Sequence, residues 1–496
     1  MHTPERSRQT RVPAARPRRK TTGLAASILS LALAALLAGC ATAPAYQPPT
    51  VDTPAAYKEA GASAARPGGP AGIAPDWWRV YADAPLDALE ARIDVSSQTL
   101  RKAVALLQDA RAQARAAHAA YFPTVTAGAS VNSSHTSANV VGRALAGKTE
   151  PGHLLGLTAS WEPDLWGRIG NGVDAAEARA QASADDVAAV RLGLQAELAA
   201  DYFGLRSADR ELDLLARTVQ AYGTVLELAD NRYRGGIATE GDVAQARAQL
   251  ENTKAQLAEL RLNRVQLEHA VATLVGEPVA RFSLPPLADT SVQPTLPAMP
   301  AALPSQLLER RPDIAAAERR VAAANAQIGV ARAAFFPSLL LAVGGGLEST
   351  SLAGWLTAPS RFWAIGPALA ATLFDGGRRQ AVADSARAQF DASAADYRAS
   401  VLRGFQEVED NFAALHALQD EASSQQAASQ ASERALALGL DRYRKGAVAF
   451  LDVSVLESTA LASERAAEAV HRRQLVASVM LVKALGGGWQ PAAVAP

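Results

Sequence analysis

The chain has 496 residues, with 49 basic and 49 acidic side chains and a single cysteine, Cys40. The balance hides a split: residues 1–39 hold seven of the basic residues and only Glu5 among the acidic ones, so the rest carries 42 basic against 48 acidic, a net of −6. A mildly acidic chain is a poor candidate for wrapping nucleic acid. One thiol supplies neither a disulfide framework nor a thiolate metal cage. The seven histidines (His2, His118, His135, His153, His269, His416 and His471) are scattered, with no two at metal-ligand spacing.

In chain order, Arg16-Pro17-Arg18-Arg19-Lys20 is a positively charged leader and Leu24 to Leu37 a short apolar run. Leu37-Ala38-Gly39-Cys40 then looks like a bacterial lipoprotein signal, in which residues 1–39 are removed and Cys40 takes diacylglyceryl and N-acyl chains. Ala41 follows, not the aspartate that resembles an inner-membrane retention signal, so the outer membrane is the expected address. Residues 40–75 are rich in Pro, Gly and Ala and read as an extended, lipid-anchored linker.

Two copies of one design follow. Ala120-Tyr121-Phe122-Pro123 recurs as Ala334-Phe335-Phe336-Pro337, and Asn231-Arg232-Tyr233-Arg234-Gly235-Gly236 as Asp441-Arg442-Tyr443-Arg444-Lys445-Gly446. Asp242-Val243 recurs as Asp452-Val453, and Val275-Gly276 as Leu485-Gly486. Near-constant offsets over so many landmarks indicate duplication. The repeats are placed at 76–277 and 312–486, separated by a Pro-rich connector at 278–311 and followed by a tail at 487–496.

Each copy contains two segments that alternate apolar with small or polar residues, about 124–132 and 154–162 in the first and 338–348 and 364–374 in the second. That period and length match transmembrane β-strands. Four strands cannot close a barrel, but three chains supplying four each make twelve. Each copy also contains a long proline-free run. In the first, Leu205, Ala208, Leu212, Leu215, Val219, Tyr222, Leu226, Ala229 and Tyr233 step by threes and fours, and after Gly235-Gly236 the rhythm resumes from Val243 to Leu274. Apolar residues every 3.5 positions specify long helices that pack on neighbours. The short glycine breaks predict antiparallel arms.

Several landmarks together resemble the outer-membrane factor (TolC-like) family, in its lipoprotein branch serving resistance–nodulation–division efflux systems. They are Asp76-Trp77-Trp78, the run from Trp161 to Arg168, Arg311-Pro312-Asp313-Ile314, Ala333 to Pro337, and Leu373 to Arg378. The resemblance implies a mainly α fold with a small transmembrane β part, a homotrimer forming a twelve-stranded β-barrel on a twelve-helix α-barrel tunnel. It also implies an outer-membrane exit channel that reaches into the periplasm and passively conducts drugs or other small toxic compounds. Its partners would be a periplasmic adaptor protein, an inner-membrane pump and outer-membrane lipid.

The resemblance places the periplasmic tip at the turns Arg232, Arg234, Gly235, Gly236 and Arg442, Arg444, Lys445, Gly446, where the adaptor would dock. Asp242, Asp452 and Tyr443 match its gate positions, while Val455 stands where a second acidic residue is often found. Each aspartate is equally placed to serve as an ordinary residue at a helix N-terminus. The basic residues could pair with them or solvate the tip.

No Ser/His/Asp grouping, phosphate-binding glycine loop or helical His-Glu-x-x-His motif is present, so neither an enzyme nor a cofactor or metal site is expected. Two other functions stay open: a lipid-anchored periplasmic coiled-coil scaffold without a pore, and the same fold exporting metal ions or a secreted protein.

Overall fold

The computed structural model describes residues 2, 43–60, 73–139, 144, 146–298 and 304–490. The signal segment and Cys40 therefore lie outside the described residues. The helices are α1 (Ala84–Ser96), α2 (Gln98–His118), α3 (Arg168–Arg234), α4 (Glu240–Leu274), α5 (Pro304–Arg310), α6 (Pro312–Ala333), α7 (Arg378–Arg444) and α8 (Phe450–Ala484). The strands are β1 (Thr124–His135), β2 (Thr149–Trp161), β3 (Ser338–Ser349) and β4 (Arg361–Ala370). Two compact units result, one holding the strands (Ala120–Asn171 with Gly329–Arg379) and one built on the helices.

In the strand unit the four strands form one antiparallel sheet in the order β1-β2-β3-β4, so a hairpin from each repeat joins at β2–β3. The register places Val125, Ala159, Val343 and Ile365 in one row across all four strands. The adjacent row is Thr126, Thr158, Gly344 and Ala364. Directly opposed residues share a face, so one face of the sheet is apolar and the other small and hydroxylated. Val125, Val343 and Ile365 are all exposed.

The strand bounds differ from those expected. β1 and β2 run further at the turn between them, and the last strand spans 361–370, not 364–374. Ala371 and Leu373 fall outside it, on the approach to Asp375-Gly376-Gly377, where both glycines have positive φ. Pro367 lies inside β4, opposite Leu341; within the four-stranded sheet of one chain β4 is an edge strand, where a missing N–H is tolerated.

The family-like motifs have local causes. The Asp164 carboxylate accepts the Ile169 and Gly170 N–H groups at 3.0 and 2.6 Å. Glu162 forms a two-point pair with Arg168, and the Trp166 ring lies 4.9 Å from the Phe336 ring. In the second copy Asp375 accepts the Gly377 and Arg379 N–H groups. Each aspartate thus supplies acceptors to the otherwise unpaired amides that open a 67-residue helix.

In the helical unit the sequence rhythm becomes burial. Leu205, Ala208, Leu215, Tyr222 and Ala229 on α3 are buried, as are Val243, Ala246, Leu250, Leu257 and Leu260 on α4. Helices of 67 residues extend roughly 100 Å at 1.5 Å per residue. A second core gathers Trp77, Tyr81, Leu86, Ile93, Leu198, Tyr202 and Phe203, which is why the Asp-Trp-Trp landmark matters: Trp77 is 1% exposed.

Arg311 is nearly buried and donates to Asp313, to Glu407 (2.7 Å) and to the Ala484 carbonyl (3.2 Å). Burial opposes its charge, but the two carboxylates outweigh that and hold the guanidinium protonated. Part of the connector carries α5, and residues around Leu284 are pinned by Arg264 and Glu268 through main-chain hydrogen bonds of 2.7 Å. Near the N-terminus, Tyr57 is buried beside Phe405 and Phe412, and the Lys58 and Glu59 amides donate to Glu409.

Candidate functional site

The two helix-to-helix turns are built identically, 210 positions apart. At the first, Gly236 N–H donates to the Tyr233 carbonyl at 2.9 Å and Ile237 N–H to the Arg232 carbonyl at 2.8 Å. At the second, Gly446 donates to Tyr443 at 2.9 Å and Ala447 to Arg442 at 2.9 Å. Gly236 has φ +72° and Gly446 φ +76°. This paired bonding with a left-handed glycine satisfies the last carbonyls of one helix and frees the chain to reverse. Gly235 keeps negative φ, so only the second glycine of the first turn is conformationally required.

The two aspartates occupy the same place in the next helix. Asp242 accepts the Thr239 N–H (2.9 Å) and hydroxyl (3.0 Å), while Asp242 N–H donates back to Thr239 Oγ1 (3.2 Å), a reciprocal capping pair. Asp452 accepts the Ala449 N–H at 3.3 Å, and Ala449 has no side-chain oxygen to return the bond. Within one subunit both carboxylates therefore close a helix N-terminus, and Asp452, the more weakly tied, is exposed.

The basic residues divide unequally. The Arg232 guanidinium lies 4.3 Å from the centre of the Tyr443 ring and donates to the Tyr443 and Arg444 carbonyls at 3.0 and 3.3 Å. Arg234 pairs with Asp230, and Lys445 with Asp441, each at 2.6 Å one helical turn away. Arg442 and Arg444 make no ion pair among the described residues.

Tyr443 is 4% exposed and packs on Phe450, whereas its counterpart Tyr233 is 44% exposed. Sequence reasoning missed this asymmetry. The available signal was at the paired positions Glu240 and Phe450, where only the second copy offers Tyr443 an aromatic neighbour. Also missed was Gln249 on α4, which bonds Ser454 across to α8.

The outer membrane efflux protein family matches this chain over residues 91–277 and 303–487, both repeats almost in full. The chain belongs to that family. It is similar to outer membrane protein OprJ of Pseudomonas aeruginosa, 32% identical over 464 residues, covering 93% of this chain and 96% of that protein. It is also similar to the cation efflux system protein CusC of Escherichia coli, 30% identical over 468 residues, with 93% and 99% covered. The toluene efflux pump outer membrane protein TtgF of Pseudomonas putida is 30% identical over 467 residues, with 93% and 96% covered.

Among solved structures of the family, the outer-membrane channel OprN superposes with a TM-score of 0.83 at 30% identity, covering 91% of this chain and all of that one. The open-state MtrE channel of Neisseria gonorrhoeae gives 0.79 at 29% identity, with 91% and 99% covered. As an outer membrane efflux protein, the chain is an outer-membrane exit channel that extends into the periplasm. That function sets aside the poreless scaffold.

Proposed function

We propose that three copies of this chain close side by side, giving twelve strands around a pore and twelve long helices around a periplasmic tunnel. The observation that carries this is the sheet itself. Among the described residues its edge strands β1 and β4 have no partner on their outer sides, and an apolar row runs across its exposed face. In a bilayer an open strand edge leaves main-chain groups without partners, so only a closed sheet can span. Four strands are too few. The helices agree: Leu262, Leu402, Leu438, Leu451 and Val455 stay exposed on helices whose other faces are buried, and neighbouring subunits would cover them.

The duct conducts drugs or other small toxic compounds passively from the periplasm to the outside. Energy comes from an inner-membrane resistance–nodulation–division pump, reached through a periplasmic adaptor that docks on the tip residues Arg234, Arg442, Arg444 and Lys445. Cys40, with its diacylglyceryl and N-acyl chains, tethers each subunit to outer-membrane lipid. Aromatic solvents fit the relationship to TtgF, and the relationship to CusC supports metal cations as the second cargo class.

Mass measurement of the detergent-extracted protein and current recording in planar bilayers test the assembly, the expected result being a trimer that conducts. A folded single subunit that passes no current would overturn it. Cross-linkers at Arg234 and Lys445 should capture the adaptor.

A further inference from the structure

The hairpin α3–α4 and the hairpin α7–α8 are joined by a series of polar contacts running back from the turns. Arg232 meets Tyr443 first. Next, Ser454 Oγ donates to Gln249 Oε1 at 2.7 Å, and the Gln249 amide reaches the Ser454 carbonyl and Ser458 Oγ at 3.5 Å. Farther along, Arg465 donates to Glu211 at 2.5 Å and to Gln256 at 3.0 Å. Arg210 then donates to Glu468 at 2.8 Å. Glu211 and Glu468 thus each face an arginine from the opposite hairpin.

Glu457 lies in the same seam, within the serine rung between Ser454 and Ser458, and has no such partner. It is 4% exposed, and its Oε2 has no hydrogen-bond partner in the structure. The groups that face it are Tyr222 from α3 and Gln249 from α4. Glu464, two turns along α8, interacts with Tyr222, with Glu433 of α7 and with Arg217 of α3. No lysine, arginine or histidine pairs with Glu457 among the described residues.

Ser454 and Ser458 also line an open cleft of about 590 Å³ with Gln245 of α4 and Gln425 of α7. A buried carboxylate without a counter-charge is far more costly than a buried carboxylic acid.

We propose that Glu457 is the proton-sensitive contact between the two hairpins: protonated, it lets α8 stay packed on α3 and α4, and ionised, it pulls water into the seam and favours release of the second turn. The channel consequence rests on the exit-duct reading above. The sign follows from burial, which raises the Glu457 pKa from 4.5 to about 7 while the Gln249 amide lowers it in part. Its contribution to the packed seam is fully present below 4.5 and is lost as pH rises through about 7.

The test uses the purified full-length protein and hydrogen–deuterium exchange over residues 450–463, corrected for the intrinsic pH dependence of exchange. From about pH 5 to about pH 7 the wild type should exchange faster by up to about tenfold per pH unit and level off at higher pH, and open probability in bilayers should rise with it. Glu457→Gln should hold the slow, low-pH behaviour throughout, while Glu464→Gln should keep the wild-type rise. A rise that survives in Glu457→Gln, or a flat wild-type profile, overturns the proposal. If the glutamine variant does not assemble, Glu457→Met removes the same titration and is read the same way. If no variant conducts at any pH, the exit-duct reading fails while the exchange data still decide the role of Glu457.

Discussion

Arg232 and Tyr443 lie 211 positions apart, one in each turn, yet the guanidinium of one is 4.3 Å from the ring centre of the other. The same arginine ties down two carbonyls of the second turn. The first hairpin therefore holds the second at its end, and the converse contact, from Arg442 to Tyr233, is not made.

That asymmetry gives the first prediction. Arg232→Ala removes a cation–π contact and two charge-assisted bonds at a half-buried site, and should destabilise the turn region by about 1–2 kcal/mol. Arg442→Ala, at an exposed site without an ion pair, should stay within about 0.5 kcal/mol. Thermal unfolding of the two variants, with bilayer recordings that show larger currents only for Arg232→Ala, checks this. Equal effects would mean the two turns are interchangeable.

Asp452 caps α8 through one long bond, at 3.3 Å. Its loss should cost no more than about 1 kcal/mol of stability. If three such carboxylates also line the tunnel entrance, Asp452→Ala raises single-channel conductance and weakens cation preference. Asp452→Asn, which keeps an acceptor for Ala449 but loses the charge, should do the same. Unchanged conductance and selectivity in both variants would remove Asp452 from the constriction.

Glycines with alike φ should differ sharply in tolerance. Gly236 (φ +72°) has open space where a Cβ would sit, so Gly236→Ala pays only the left-handed backbone, about 1–2 kcal/mol. At Gly486 (φ +94°) a Cβ would come within 1.9 Å of the Arg310 carbonyl oxygen, so Gly486→Ala must also move backbone. Gly486→Ala should lower the melting temperature several times further than Gly236→Ala.

Glu90 on α1 is 1% exposed with neither carboxylate oxygen bonded. Burial first, then the charges of Asp94 and Asp87, push its pKa from 4.5 to about 9. Between those values the folded chain keeps a proton that the unfolded chain has lost. Its stability contribution is thus fully present below 4.5 and is lost as pH rises to about 9, with a slope on the order of 1.4 kcal/mol per pH unit. Glu90→Gln should remove this slope, so the variant should gain on the wild type from mildly acid to alkaline pH in thermal melts. A constant difference would show that Glu90 is ionised in the fold.

The sequence by itself determined the duplicated plan, the long helices and the alternating strands, because a heptad seam such as Leu205 to Ala229 and a two-residue period such as Val125 to Val131 are local consequences of helix and strand geometry. It also placed the turns at Gly236 and Gly446, since only glycine enters the left-handed region freely. The tertiary structure decided how the two copies differ. Tyr233 and Tyr443 have the same local sequence signal, but burial depends on what other helices supply, and the second tyrosine is enclosed by Arg232, Phe450 and a cluster that includes Ala229, Val243 and Val453. It likewise decided that Asp242 and Asp452 cap helices, and that Glu211 and Glu468 meet arginines of the opposite hairpin while Glu457 meets none among the described residues. Which charges meet is fixed by the packing of residues far apart in the chain, and no periodicity along the chain encodes that.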